Sequence, residues 1–163
     1  MEVIIIGGSI GGLTLGLMLH EVGIPSRIFE ATPDIKPIGV GINILPHASK
    51  ELCALGLEDA LTHAGILTKK AVFYNRFGQL IYSEPLGRYA GNAYPQFSIH
   101  RGDLQTVLLD AFTARAGADR IHAGWKCTRF EQDGTGATAH FRSTSTGEAL
   151  PSQRDRAESF QKP

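Results

Sequence analysis

The feature that most constrains the fold is a short apolar run followed at once by glycines. Val3-Ile4-Ile5-Ile6 is unbroken and β-branched, and Gly7-Gly8 comes directly after it. Such a run is typical of a strand that is buried on both faces of a parallel sheet. A helix over residues 10–22, closed by Gly23, and a second strand over residues 26–30 are predicted next. Together these elements predict a right-handed βαβ unit.

The turn inside this unit approximates the G-x-G-x-x-G pattern of dinucleotide-binding proteins. Gly7 and Gly12 are the first and third glycines, whereas Ser9 occupies the middle position. A tight turn and close helix–strand packing would let a pyrophosphate approach the helix N-terminus, whose N–H groups and dipole attract anions. Glu30 ends the second strand, where it could accept hydrogen bonds from ribose hydroxyls and would repel a 2′-phosphate. The unit predicts a site for FAD or NAD, without distinguishing between them.

The remainder of the chain predicts mixed helices and strands. An extended loop rich in glycine and proline is expected over residues 31–46, and Asp103 is expected to cap a later helix. The predicted helices cover 47–55, 57–64 and 103–116, the hairpins pair 70–75 with 79–83 and 125–131 with 137–143, and single strands cover 96–100 and 120–122. Residues 148–163 are charged and contain two prolines, so we predict a domain over 1–147 and a disordered or unrelated tail.

The composition excludes several classes of partner. Sixteen basic residues balance sixteen acidic ones, which gives no indication of nucleic acid or anionic membrane. No apolar run approaches about 20 residues, and the N-terminus lacks the basic region of a signal peptide. Cys53, Cys127 and the six histidines fit no metal-ligand spacing, and two free thiols are favoured over a disulfide. We therefore expect a cytoplasmic protein with no metal site and no nucleic-acid or membrane partner.

Three further parts of the sequence resemble the aromatic-hydroxylase family of FAD monooxygenases, the group A flavoprotein hydroxylases. Residues 38–48 are similar to the glycine-rich segment after the second strand in that family, and residues 98–105 to its His-Arg-x-x-Leu segment. Residues 83–87 and 91–96 resemble most closely the phenazine-modifying branch. The resemblance extends over residues 1–147. It implies an α/β fold, a Rossmann-like FAD-binding domain of the glutathione-reductase type with inserted β-hairpins.

The resemblance also implies which residues contact FAD. In chain order these are Gly7, Ser9, Ile10, Gly12, Glu30, Ala31, Val40, Gly41, Arg101, Gln105 and Cys127. The first four would meet the pyrophosphate and Glu30 the adenosine ribose, whereas Ala31 is implied as a cofactor contact without a more specific role. Val40 and Gly41 would lie beside the flavin, and the backbone near Cys127 would contact the adenine. Arg101 would reach the pyrophosphate or the flavin, and Gln105, on the same helix face, the ribityl chain. A surface ion pair with Asp103 is the alternative for Arg101, and His100 is interpreted as structural.

The activity implied by the resemblance is hydroxylation of an aromatic small molecule with O2, NAD(P)H serving as a transient electron donor. No catalytic acid or base is assigned, because the cofactor carries this chemistry. One alternative is a non-catalytic FAD- or nucleotide-binding module that pairs with another chain. The other is a fragment of an NAD-dependent dehydrogenase, which is disfavoured because a loop rather than a second βα unit follows Glu30.

Family members are more than twice as long, so the sequence is interpreted as truncated. Residues 150–156 are charged and contain a proline where the family continues into a buried apolar strand. The first strand would then form an unpaired apolar edge, open to self-association or to a complementing chain. We expect weak FAD binding and little or no hydroxylation by the isolated chain.

Overall fold

A computed structural model describes residues 2–35, 39–134 and 136–156. The α-helices are α1 (Ile10–Glu21), α2 (Pro46–Ala54), α3 (Glu58–Ala64) and α4 (Arg101–Ala116). The strands are β1 (Val3–Ile6), β2 (Ser26–Glu30), β3 (Gly41–Ile44), β4 (Ile66–Leu67), β5 (Lys70–Tyr74), β6 (Leu80–Pro85), β7 (Phe97–His100), β8 (Ile121–Ala123), β9 (Trp125–Asp133), β10 (Gly136–Ser143) and β11 (Gln153–Arg156). Two compact units divide the chain: Met1–Lys36 with Leu108–Pro163, and Pro37–Val107.

The first unit is built on the predicted βαβ arrangement. β1 pairs in parallel with β2, placing Ile5 opposite Ile28, and β8 pairs in parallel with the other side of β2. The strand order β1-β2-β8 makes β1 an edge strand among the described residues. α1 contacts β1 and β2 and buries Leu13 and Leu17 completely. This confirms the prediction of a strand, a helix and a second parallel strand within the first thirty residues.

A small residue on α1 permits close packing against the C-terminal half of α4. A Cβ atom placed on Gly16 would lie 2.6 Å from a ring carbon of Phe112, which is fully buried. Real Cβ atoms do not approach carbon this closely, so a larger residue at position 16 would push the ring away. Glycine at this position therefore sets the distance between the two helices.

An antiparallel sheet covers one face of the parallel sheet. β9 and β10 form the predicted hairpin, and β11 pairs with the other side of β10. Phe29 of β2 stacks on Phe141 of β10 with ring centroids 4.1 Å apart, and Ala139 completes this small buried cluster. Aromatic stacking of this kind stabilises the contact beyond the area that it buries.

β11 corrects the interpretation of the tail. The prediction of disorder is wrong for residues 153–156, which form a strand. The Arg27 guanidinium donates to Gln153 Oε1 at 2.6 Å, and Arg154 forms an ion pair with Asp133 at 2.9 Å. Charged residues are tolerated because β11 is, within the described ranges, an edge strand rather than a central one. Residues 157–163 lie outside the described residues, and the domain boundary at residue 147 stays a prediction.

The second unit contains the antiparallel sheet β3-β7-β4, the hairpin β5-β6, and α2 and α3. Its buried core includes Ile44, Leu52, Leu61, Phe97, Ile99 and Leu104. The hairpin that the sequence predicts over residues 70–83 is confirmed, with β6 extending to Pro85. β3 is a correction, because residues 31–46 are predicted as a loop without a strand. Its pairing partner β7 is more than fifty residues away, and local sequence does not reveal such a partner.

The start of α4 is a second correction. The helix begins at Arg101, two residues before the predicted cap Asp103, which instead lies in the first turn. The His100 ring accepts a hydrogen bond from the N–H of Gly102, so it occupies the capping position. Histidine is not among the favoured capping residues, which is why the sequence pattern pointed to the aspartate.

Cys53 and Cys127 are both free thiols. Burial, aided by a hydrogen bond to Glu58, raises the pKa of the Cys53 thiol to about 11, so the thiol stays protonated near neutral pH. Within the three described ranges, no group of three or more potential ligands is arranged to hold a metal ion. None of the helices in the described part of the chain has both the length and the apolarity of a membrane span.

Candidate functional site

The candidate site begins at the turn between β1 and α1. Gly7 has a positive φ of 108°, a conformation that residues with a Cβ atom rarely adopt. Its N–H donates to the carbonyl oxygen of Phe29 at 2.8 Å, which ties the turn to β2. A Cβ atom on Gly12 would lie only 1.9 Å from the carbonyl oxygen of Gly7. The two glycines therefore make the tight turn and the close packing that their spacing predicts.

The N-terminus of α1 is open to an anion. Ser9 occupies the capping position, yet its side chain makes no capping hydrogen bond. The first intrahelical bond runs from the N–H of Leu13 to the carbonyl of Ser9 at 3.0 Å, so the N–H groups of residues 10–12 have no acceptor within the helix. The first turn contains no acidic residue. These N–H groups, the helix dipole and the Ser9 hydroxyl can therefore all act on a bound anion.

Glu30 reaches back from the end of β2 to this turn. Its Oε2 accepts from the N–H of Gly8 at 2.7 Å, and its Oε1 accepts from the N–H and hydroxyl of Thr32 at 2.8 and 2.9 Å. Burial alone would raise the pKa of Glu30, but these donors, with a smaller effect from the N–H of Ala31, lower it. The carboxylate is thus held ionised, as an acceptor beside the open helix end.

These residues fit the adenosine half of a dinucleotide. The donors at the helix end suit a diphosphate, and an ionised carboxylate at the end of the neighbouring strand suits ribose hydroxyls. Gly7, Ser9, Ile10, Gly12, Glu30 and Ala31 all lie in the first unit, at the turn after β1 and at the end of β2, and their contacts with a dinucleotide stay predictions. Fold and site together define a dinucleotide-binding domain of the Rossmann type.

A second group of predicted residues lies in the second unit, where β3 pairs with β7. The N–H of Arg101 donates to the carbonyl of Val40 at 3.0 Å, and Gly41 is the register partner of His100. A Cβ atom on Gly39 would lie 2.9 Å from the Cβ of Arg101, so this backbone packs directly on the arginine side chain. Val40 is 72% exposed, which leaves its side chain accessible to a ligand. Ile38, the first residue of the predicted glycine-rich segment, lies outside the described residues.

Three other residues that bear on the predicted site are Gln105, Cys127 and His100. Gln105 is one turn after Arg101 on α4, as predicted. Cys127 lies on β9, with its thiol 3.6 Å from the carbonyl oxygen of Arg129 and packed beside the Phe29 cluster. His100, which the sequence predicts to be structural only, contacts both the Gly39 carbonyl and the first turn of α4. The contacts of these residues with FAD stay predictions.

Comparison with known proteins distinguishes FAD from NAD. The sequence model of a family described as FAD binding domain matches residues 1–153. The chain belongs to this family of FAD-binding domains. It is similar to the phenazine 1,6-dicarboxylic acid hydroxylase PhzS of Lysobacter antibioticus, with 41% identity over 90% of this chain and 36% of that protein. It is also similar to an FAD-dependent urate hydroxylase of Klebsiella pneumoniae, with 32% identity over 92% of this chain and 39% of that protein.

Solved structures agree with the fold. The urate-binding protein HpxO of Klebsiella pneumoniae, complexed with FAD and uric acid, aligns with a TM-score of 0.76 at 26% identity, over 92% of this chain and 36% of that chain. The p-nitrophenol 4-monooxygenase PnpA of Pseudomonas putida aligns with a TM-score of 0.80 over 93% of this chain and 38% of that chain; at 18% identity it supports the fold alone. The predicted Rossmann-like FAD-binding fold is confirmed. The chain spans a little over a third of the length of these proteins.

Proposed function

We propose that the chain is the FAD-binding part of a flavin-dependent monooxygenase that hydroxylates an aromatic small molecule. The observation that carries this proposal is the hydrogen bond from Gly8 to Glu30, which holds an ionised carboxylate beside the open end of α1. Membership of the FAD binding domain family supports FAD as the dinucleotide. The relatives named as hydroxylases of a phenazine dicarboxylic acid and of urate support an aromatic ring as substrate.

The overall reaction balances with NAD(P)H and O2 as co-substrates. One oxygen atom enters the ring as a hydroxyl group and the other leaves as water, while NAD(P)H gives up a hydride, a proton comes from solvent, and NAD(P)⁺ is formed. FAD supplies this redox chemistry when it is bound, whereas the protein binds and orients it. No acid or base of this chain is assigned to the reaction. A cytoplasmic location belongs to the proposal on sequence grounds alone.

Each part of the cofactor has a proposed set of contacts. The N–H groups at the start of α1 and the Ser9 hydroxyl hold the diphosphate, and Glu30 accepts from the adenosine ribose. Arg101 reaches the diphosphate or the flavin, because a guanidinium can donate two parallel hydrogen bonds to an anion. The remaining proposed contacts are Val40 and Gly41 to the flavin, Gln105 to the ribityl chain and the backbone near Cys127 to the adenine, with Ala31 as a further cofactor contact beside Glu30.

FAD titration of the purified chain tests this proposal. Flavin fluorescence should be quenched on binding, and Glu30→Ala and Arg101→Ala should each weaken the affinity by about tenfold or more, as expected for charge-assisted hydrogen bonds. Glu51→Ala and Arg76→Ala are matched controls, because both residues lie on other surface elements, α2 and the β5-β6 turn. A chain that neither quenches flavin nor shifts its visible spectrum would refute the assignment.

A second candidate is a non-catalytic FAD-binding module that pairs with another chain. It is favoured by the position of β1 at the edge of its sheet among the described residues, where Ile6 is 56% exposed. A groove of about 180 Å³ runs beside this edge and is lined by Ile4, Ile6, Phe130, Ala137, Thr138 and Ala139. Little or no hydroxylation is expected of the isolated chain on either candidate, so sedimentation is the deciding measurement: FAD binding together with a stable complex between chains would favour this candidate, and a monomer that binds FAD would count against it.

A further inference from the structure

His100 lies at the junction where β7 continues directly into α4. Its Nδ1 accepts a hydrogen bond from the N–H of Gly102 at 3.2 Å, and its Nε2 lies 2.8 Å from the carbonyl oxygen of Gly39. A backbone N–H only donates, and a carbonyl oxygen only accepts. Both contacts are hydrogen bonds only if Nδ1 is unprotonated and Nε2 carries the proton. Both hydrogen bonds to the backbone therefore form in the Nε2–H tautomer of the imidazole.

The two hydrogen bonds act on different parts of the second unit. The bond from Gly102 satisfies an N–H of the first turn of α4, which is the task of a capping side chain. The bond to Gly39 holds the segment that leads into β3. The next residue of that segment, Val40, accepts from the N–H of Arg101 at 3.0 Å. A single imidazole therefore connects the glycine-rich segment to the start of α4.

This connection orders residues that are predicted to contact FAD. Arg101 is the first residue of α4, and its side chain packs on the backbone of Gly39, where a Cβ would lie 2.9 Å from the arginine Cβ. Val40 and Gly41 follow Gly39 directly. Release of the Gly39 carbonyl would free the segment on which the arginine side chain packs. The ring therefore adds a side-chain connection beside the backbone hydrogen bond that already joins Arg101 to Val40.

We propose that His100 is a positioning residue for FAD binding: it holds Val40, Gly41 and Arg101 in one arrangement by joining Gly39 to the first turn of α4. The inference rests on the proposed function, because its consequence is measured as FAD affinity. His100 acts through its neighbours and is not a catalytic residue. Preorganised contacts of this kind raise affinity by reducing the ordering that binding would otherwise require.

Two substitutions separate the capping contact from the connection to Gly39. His100→Ala removes both hydrogen bonds. His100→Asn keeps an acceptor suited to capping α4, but its shorter side chain does not extend to the Gly39 carbonyl as imidazole does. His63→Asn is the matched control, because the His63 ring also lies 2.7 Å from a carbonyl oxygen, that of Asp59, but within its own helix α3.

The full-length chain is measured in three ways: FAD affinity, thermal unfolding, and exchange of the Arg101 and Gly102 amide protons by NMR without FAD. His100→Ala should speed exchange at both amides and weaken FAD binding by about tenfold, the size expected for one or two lost hydrogen bonds. His100→Asn should restore unfolding temperature and Gly102 protection, while Arg101 exchange stays fast and FAD binding stays weak. His63→Asn should change neither affinity nor these two amides.

Recovery of FAD affinity together with stability in His100→Asn would overturn the inference, since His100 would then be only a helix cap. Unchanged Arg101 exchange in His100→Ala would overturn it as well. If the wild-type chain binds no FAD, the proposed function fails and the link to FAD fails with it. The amide exchange still reports whether His100 joins Gly39 to α4, so the two failures are distinguishable.

Discussion

The backbone N–H of Gly8 donates to the carboxylate of Glu30 at 2.7 Å, joining the turn after β1 to the end of β2. The other carboxylate oxygen accepts from the N–H and hydroxyl of Thr32. Burial acts to raise the pKa of Glu30, but these hydrogen bonds outweigh burial and lower it. The same ionised group therefore stabilises the turn and forms the predicted acceptor for the ribose.

The lowered pKa of Glu30 predicts a loss of stability in acid. Its contribution to the free energy of unfolding is complete above the usual pKa of 4.5 and is lost as the pH falls through the lower value of the folded chain. Glu30→Gln should therefore lose less stability than the wild type as the pH falls below 4.5, measured by urea unfolding. Glu51→Gln on α2 is the control, and parallel profiles for wild type and Glu30→Gln would contradict the prediction.

The turn also predicts that alanine substitutions at two adjacent glycines, Gly11 and Gly12, change stability in opposite directions. Gly12→Ala would place a Cβ atom 1.9 Å from the Gly7 carbonyl oxygen, so we expect a loss of about 3 kcal/mol of unfolding free energy, with FAD binding abolished. Gly11→Ala meets nothing within 4 Å and should raise stability by up to about 1 kcal/mol through helix propensity. Urea unfolding measures both. Equal effects at the two positions would show that Gly12 does not pack on Gly7.

Because β1 has an exposed edge, we predict that the chain self-associates and that one charge added to this strand weakens the association. Ile6 is 56% exposed at the end of this strand, and a lysine there should oppose strand pairing. Ile6→Lys is expected to raise the dissociation constant for self-association, measured by sedimentation velocity, by about tenfold, which corresponds to about 1.4 kcal/mol. Val22→Lys adds the same charge at a residue that is 68% exposed just after α1 and should have no such effect. A monomeric wild-type chain at high concentration would refute the prediction.

The pKa of His122 predicts a second pH dependence of stability, at a higher pH than that of Glu30. Burial, followed by the nearby Arg27 guanidinium, lowers the pKa of His122, whose ring stacks on Phe29 at 4.6 Å. Among the described residues, its Nε2 is buried without a hydrogen-bond partner. The unfolded chain therefore binds a proton at the usual pKa of 6.5 while the folded chain does not, so stability falls as the pH drops below 6.5 toward the lower folded value.

Substitution of His122 by phenylalanine tests this relation. His122→Phe keeps a ring against Phe29 but cannot be protonated, so its melting temperature should fall less on acidification below pH 6.5 than that of the wild type. Differential scanning calorimetry measures both profiles. His63→Gln, at an exposed histidine of α3, should follow the wild type. An undiminished pH dependence in His122→Phe would assign the effect to another group.

The sequence predicted the elements whose signals are local. The apolar run of β1, the glycines of the turn and the acid at the end of β2 lie within thirty residues, and each is recognised from the residues next to it in the sequence. The two hairpins were also predicted, because alternating side chains and turn residues occur together in short windows. The strand β3 was missed because it depends on pairing with β7.

The sequence by itself determined the βαβ unit, the positions of Gly7 and Gly12 and the placement of Glu30, because backbone conformation and apolar periodicity are properties of contiguous residues. Only the tertiary structure decided that Gly8 is the donor to Glu30, that β11 joins β10, and that both nitrogens of His100 are engaged. Most of these contacts join residues that lie tens of positions apart. Local sequence does not reveal which of these distant groups will be in contact, because the contacts form only when the core packs their elements together.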